Sequence, residues 1–102
     1  MQSLTVQIVR FVNDDFPGWV ECEFTDAEGR RHIIKDKYPL FTAEILDADS
    51  NYPTPGEISC EILERYQDAS GRQLIRVSTR SPFYTESTEG LTEFTVPVSL
   101  IT

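Results

Sequence analysis

The sequence predicts an all-β domain, a small curled antiparallel barrel of about five to seven strands, OB-like or SH3-like, with one short helical turn. Three observations carry that expectation. Apolar and polar residues alternate over several short stretches, as they do in half-buried strands. Clusters of Gly, Pro, Asn and Asp separate those stretches. One phrase also occurs twice. Gly18-Trp19-Val20-Glu21-Cys22-Glu23 is followed by Asp26-Ala27-Glu28-Gly29-Arg30, and Gly56-Glu57-Ile58-Ser59-Cys60-Glu61 by Asp68-Ala69-Ser70-Gly71-Arg72. Each copy reads as strand, tight turn, strand, so two related hairpins are expected.

Leu4, Val6 and Ile8 share one face of the first strand, continued past Arg10 by Val12, while Thr5, Gln7, Val9 and Phe11 take the other. Apolar residues on both faces point to a central or strongly bent strand over Leu4–Val12. Asn13 to Gly18 is loop by composition, and Trp19–Thr25 is the second strand. Asp26 to Gly29 closes a tight turn, with Gly29 suited to the left-handed position of a type I turn plus bulge. Arg30–Lys37 is the third strand. Thr42 ahead of Ala43-Glu44-Ile45-Leu46 predicts one helical turn, too short to stand without tertiary support. Asp47 to Gly56, with Pro53 and Pro55, is the longest loop. Glu57–Tyr66 and Arg72–Arg80 are the fourth and fifth strands. Ser81 to Gly90 is a second loop with a short edge strand expected at Phe83–Glu86. The last strand is Thr92–Leu100, in which Pro97 marks an edge position or bulge.

Turn chemistry also predicts register. A loop ending in Gly29 sets Asp26 opposite Arg30, which carries Glu21 opposite Lys35 and Phe24 beside His32 on the inner face. The equivalent turn at Gly71 sets Glu64 opposite Arg76 and Tyr66 opposite Leu74. Both registers bring opposite charges together. Ile62-Leu63 breaks the alternation, and a β-bulge there would restore it.

The chain has 102 residues, which predicts a single domain over 1–102. Its net charge of −8, with the bases spread along strands among glutamates, argues against nucleic acid as a partner. No apolar run approaches the length of a membrane span. The first residues lack the basic and apolar regions of a secretion signal, so the expected location is the cytoplasm, with Cys22 and Cys60 reduced. Each cysteine alternates with apolar neighbours. That pattern predicts core packing ahead of a disulfide, a metal ligand or a reactive thiol.

Patterns that carry chemistry are sparse. His32 is the sole histidine, so any Ser-His-Asp or Cys-His arrangement has to use it. A Cys22–His32 diad is one such candidate, set against the inertness of buried thiols. The sequence holds no Gly-rich phosphate loop, no Gly-x-Ser-x-Gly elbow and no Cys-x-x-Cys pair. Asp47-Ala48-Asp49-Ser50-Asn51 imitates the opening of a calcium loop. It then departs from that pattern, with Tyr52 in place of the sharp-turn glycine and Ile58 in place of the bidentate glutamate. No cofactor and no metal are expected. The loops are more informative. They carry Phe16, Tyr52, Phe83 and Tyr84, Trp19 opens the second strand, and Asp14, Asp15, Asp47, Asp49, Glu86 and Glu89 lie among them. Aromatics beside acids suit recognition of a basic protein or peptide. The competing role for these aromatics is to cap the barrel ends.

Phe16-Pro17-Gly18-Trp19-Val20-Glu21-Cys22, Asp26 to Arg30, Tyr52-Pro53-Thr54-Pro55-Gly56 and Glu86-Ser87-Thr88-Glu89-Gly90 resemble segments of a family of small uncharacterised bacterial proteins, common in actinobacteria and other soil bacteria. The resemblance spans roughly Val9 to Val96. It implies a cytoplasmic bacterial protein with no established activity and brings no catalytic residues with it.

The expected function is a non-enzymatic protein-interaction module of regulatory or immunity type. Its acidic loop end would bind a basic protein through Trp19, Asp47, Asp49, Tyr52, Phe83, Tyr84, Glu86 and Glu89. The alternative is a small-molecule-binding barrel or minor enzyme with a site near Cys22, His32 and Trp19. A third reading is a structural homo-oligomer built through the edge of Glu57–Tyr66 or the C-terminal strand.

Overall fold

The computed structural model describes residues 2–102. Leu4, Val6 and Ile8 are buried along the inner face of β1 (Gln2–Asn13), which lies inside a six-stranded antiparallel sheet of order β3-β2-β1-β4-β5-β6. β2 (Trp19–Thr25) and β3 (Arg31–Lys37) form one hairpin. β4 (Thr54–Gln67), β5 (Gln73–Ser78) and β6 (Glu93–Pro97) form an antiparallel meander. The sheet curls into a half-barrel around one apolar cluster, to which β1, β2, β3, β4, β5 and β6 all contribute.

Two long strands turn the corners. β1 pairs with β4 over Gln2–Ile8 and with β2 over Gln7–Asn13, with register shifts between Ile8 and Arg10 and between Phe11 and Asn13. β4 pairs with β1 over Thr54–Cys60 and with β5 over Glu61–Gln67. Its register shifts between Ile62 and Glu64, with Leu63 as the extra residue. Such bulges bend a strand and deepen its twist, which lets one strand serve two neighbours. Both hairpin registers are those expected from the turns, with Glu21 facing Lys35, Phe24 facing His32, Glu64 facing Arg76 and Tyr66 facing Leu74.

The two Asp-x-x-Gly turns are the same object. The Gly29 N–H donates to the Asp26 carbonyl (3.1 Å) and the Gly71 N–H to the Asp68 carbonyl (3.0 Å), with the glycines at φ 81° and 90°. Asp26 Oδ1 accepts from the Glu28 and Arg30 N–H groups, and Asp68 Oδ1 from those of Ser70 and Arg72. Ser87-Thr88-Glu89-Gly90 is a third copy with Ser87 in the aspartate's place. Its Oγ accepts from the Glu89 and Leu91 N–H groups, and Gly90 sits at φ 80°.

The open side between β3 and β6 is drawn together by these turns. The Ala27 N–H donates to the Thr95 carbonyl (2.9 Å), the Thr88 N–H to the Ile33 carbonyl (2.8 Å), and the Arg72 guanidinium to the Ala27 carbonyl (3.0 Å). At the chain's end a 3-10 turn, Val98–Leu100, returns Ile101 to bridge Leu4, while Ser3 and Thr102 exchange two backbone hydrogen bonds.

Three local expectations are corrected. Thr42–Leu46 is not helical, and the short turn falls at Tyr38–Leu40, where Pro39 suits the first turn of a helix. The chain beyond it is needed elsewhere. The Phe41 carbonyl accepts the Glu57 N–H (2.9 Å) along the edge of β4, and Leu46 is buried in the core. Phe83–Glu86 is a turn rather than an edge strand, because the Tyr84 N–H closes back on the Arg80 carbonyl (3.0 Å). The last strand stops at Pro97, with Val98–Leu100 in the 3-10 turn. Cys22 and Cys60 are both buried and unpaired, opposite Ile8 and Gln2 of β1 respectively. No helix among the described residues is long and apolar enough to cross a membrane.

Candidate functional site

The loop between β5 and β6 is held at its neck by Thr79, which is fully buried. The Thr79 N–H donates to the Thr92 carbonyl (2.8 Å), its hydroxyl donates to the Thr85 carbonyl, and the Thr85 N–H returns to the Thr79 carbonyl (2.9 Å). Inside that ring Tyr84 adopts φ 50°. This is the left-handed region, which a bulky side chain enters only where its surroundings impose it. The result is a closed knuckle that points its aromatics outward: Phe83 is 58% and Tyr84 57% exposed. The Arg80 guanidinium lies 6.0 Å from the Tyr84 ring, within cation–π range.

The other sequence-predicted site residues fall into separate local groups. Asp47 is committed to its own loop: Oδ1 accepts from the Asp49 N–H (2.8 Å) and the Ser50 hydroxyl (3.3 Å), and its carbonyl accepts the Tyr52 hydroxyl (2.7 Å). Tyr52 is half-buried against the core, so it caps the barrel rather than standing free. Burial and the Asp47 charge push its phenol above the ordinary value, against the opposing pull of a Ser50 hydrogen bond. Glu89 is paired with Arg30 (3.3 Å), and Lys37 stands 5.8 Å from the Trp19 ring. Asp49 and Glu86 are exposed, and among the described residues neither carboxylate has an ion-pair partner within 4.0 Å. No ion pair, hydrogen bond or ring contact among the described residues joins the Trp19, Asp47–Tyr52 and Phe83–Glu89 groups to one another.

No family model, curated protein or solved structure matches this chain.

His32 is 3% exposed, between Phe24 (ring centroids 5.2 Å apart) and Phe94 (4.9 Å). Its Nε2 lies 2.7 Å from Asp26 Oδ2, while Nδ1 is buried with no hydrogen-bond partner. Burial tends to raise the Asp26 carboxyl, but the His32 hydrogen bond and the Arg30 and Glu28 amides outweigh it and hold the group below its ordinary value. Sequence reasoning placed Phe24 beside His32 and missed Asp26. The signal was present, since an aspartate that caps its turn with Oδ1 has Oδ2 to spare for the next inward residue. Cys22 is fully buried, and burial, with the Asp36 and Glu21 charges, pushes its thiol up to about 12. A thiol so raised stays protonated at neutral pH and is a poor nucleophile. Cys60 is raised as well, by burial.

Two surface clefts, of about 240 and about 300 Å³, flank Thr5. One is lined by Gln7, Glu23, Thr25 and Leu100, the other by Phe41, Thr42, Pro55 and Glu57, and neither reaches His32, Cys22 or Trp19.

Proposed function

We propose that the protein is a non-enzymatic protein-interaction module, regulatory or immunity-type, that offers its acidic loop end to a basic protein in the bacterial cytoplasm. The observation that carries this reading is the Phe83-Tyr84 knuckle: two adjacent aromatics, more than half exposed, on a loop stapled shut by Thr79. Interfaces concentrate their energy in a few aromatic anchors, and a loop already fixed in its bound shape loses little entropy on docking. The unpaired carboxylate of Glu86 stands two residues from Tyr84 and supplies the charge that favours a basic partner. The OB-like assignment is supported by the order β3-β2-β1-β4-β5, in which the first strand sits between the second and fourth.

The test compares capture of proteins from bacterial lysate by wild type, by Phe83→Ala/Tyr84→Ala, and by Asp49→Lys/Glu86→Lys, at low and at high salt. Asp47 and Glu89 are left intact because the first holds its own loop and the second is ion-paired. A partner retained by wild type at low salt should bind about ten-fold or more weakly to the aromatic double variant. It should also be lost from all three at high salt, while the thermal midpoints of the three proteins stay together. Equal capture by wild type and both variants would overturn the reading.

A further inference from the structure

We propose that the outer edge of β3 is a docking strand for an extended acidic segment of a partner protein. This surface is separate from the aromatic knuckle and does not rest on the reading given to it. In the β2–β3 ladder the even-numbered residues of β3 face β2, as the bracketing bonds show: the Asp26 N–H donates to the Arg30 carbonyl and the Tyr38 N–H to the Gly18 carbonyl. Arg31, Ile33, Lys35 and Lys37 therefore turn their backbone groups outward. Thr88, in the Ser87–Gly90 turn, takes the Ile33 carbonyl from outside, so this outward-facing edge is open to hydrogen bonds from beyond the sheet. Beyond that point the edge is open at Lys35. The Lys37 N–H is held by Asp36 Oδ1 (2.8 Å), and the Lys37 carbonyl, as N-cap of the Tyr38–Leu40 turn, takes that turn's first hydrogen bond, but among the described residues no hydrogen bond reaches the Lys35 N–H or the Lys35 carbonyl.

Charge selects the occupant. The outer face of β1–β3 carries Arg10, Arg31, Lys35 and Lys37 against Glu21 and Glu23 only. Glu21 is shared by Arg10 (3.0 Å) and Lys35 (3.8 Å), Glu23 serves Arg31 (3.3 Å), and among the described residues Lys37 has no carboxylate within 4.0 Å. Within a chain of net charge −8, this is a local excess of positive charge. A guest strand carrying Glu or Asp at alternate positions would set carboxylates beside Lys35 and Lys37 while its backbone pairs with the open groups. A second copy of this chain docked β3 to β3 would set lysines and Arg31 against one another, which cross-strand electrostatics disfavours.

The test uses three synthetic peptides of about ten residues with high strand propensity: one with alternating Glu, one with Lys in its place, and the Glu peptide N-methylated at alternate residues to remove every edge-facing N–H. Amide NMR of the full chain should show shifts confined to Arg31–Lys37 and slowed exchange of the Lys35 N–H with the Glu peptide. Its affinity should fall by about ten-fold or more in Lys35→Glu/Lys37→Glu and at about 0.5 M salt. Phe83→Ala/Tyr84→Ala should bind it as wild type does, which separates this surface from the knuckle. The Lys peptide and the N-methylated peptide should not bind. No binding of the Glu peptide, binding of the N-methylated peptide with equal strength, or shifts centred outside β3 would each overturn the proposal. So would a concentration-dependent dimer, seen by sedimentation, that protects the same amides.

Discussion

Asp26 and Asp68 share a role down to one oxygen. Each spends Oδ1 on two amides of its turn, but Oδ2 meets His32 in the first hairpin and the Arg72 guanidinium (2.9 Å) in the second. Ser70 and Arg72 hold the Asp68 carboxyl far below the ordinary range, and the His32 bond with two turn amides holds Asp26 below it. A carboxyl with a folded value below its unfolded one stabilises the fold fully above the unfolded value, near about 3.9, and loses that contribution as pH falls through the folded value. Folding stability should therefore drop on acidification below about pH 4. Asp26→Ala should cost about 1–3 kcal/mol at neutral pH, because buried His32 loses its partner and two amides lose their acceptor. Urea denaturation across pH checks both statements. A variant with the same acid limb and the same midpoint as wild type would refute them. This carboxylate was half legible in the sequence, which marks its turn role by spacing to Gly29 but carries no mark of which side chain its second oxygen meets.

At the scale of elements, the close approach of β1 to β4 turns on Gly56. A Cβ there would lie 2.9 Å from Ile8 Cγ1 and Cδ1 and 3.2 Å from the Phe41 carbonyl oxygen. Gly56→Ala should thus destabilise by about 1–3 kcal/mol through overpacking. Ile8→Val, which removes the crowded Cδ1, should recover part of that loss, so the double variant should be less destabilised than the sum of the singles. A double-mutant cycle in urea is the measurement, and strict additivity would show that Ile8 is not what the new methyl meets. The same strand shows why an element boundary was missed. Pro53 and Pro55 read as loop, yet β4 already begins at Thr54. Pro55 shares the parity of Glu57, whose N–H points away from β1 to Phe41, so the absent proline N–H costs the β1–β4 ladder nothing. The hairpin registers were legible because turn type dictates pairing. The third turn escaped notice because Ser87 does with a hydroxyl what the other two do with carboxylates.

For the whole molecule, β1 and β4 are common property of both ends of the sheet, and a single apolar cluster runs from Val20 and Ile34 to Val77 and Val96. Neither the β2–β3 hairpin nor the β4–β6 meander has a core of its own. Unfolding should be one cooperative step, with Trp19 fluorescence, which reports the β2 end, and far-UV circular dichroism giving coincident transitions. Two separable transitions would mean that the halves fold independently. Charge is organised at this scale as well. Four of the nine bases lie on the outer face of β1–β3, whereas fifteen of the seventeen acids lie elsewhere. The two proposed surfaces, an acidic aromatic knuckle and a cationic strand edge, follow from that segregation.

The sequence by itself determined the all-β class, both hairpin registers, the bulge at Leu63 and the burial of both cysteines. All of these depend on local turn chemistry and on the two-residue period of a strand, which neighbouring residues encode. Only the tertiary structure decided that Asp26 would meet His32, that the Tyr52 hydroxyl would bond to the Asp47 carbonyl, that Phe83 and Tyr84 would stand exposed with Tyr84 at positive φ, and that β3 would keep an open edge. Those outcomes depend on which distant segments the curl of the sheet brings together. No spacing along the chain records that juxtaposition, because it is set by the twist and bulges of two strands that each serve two neighbours.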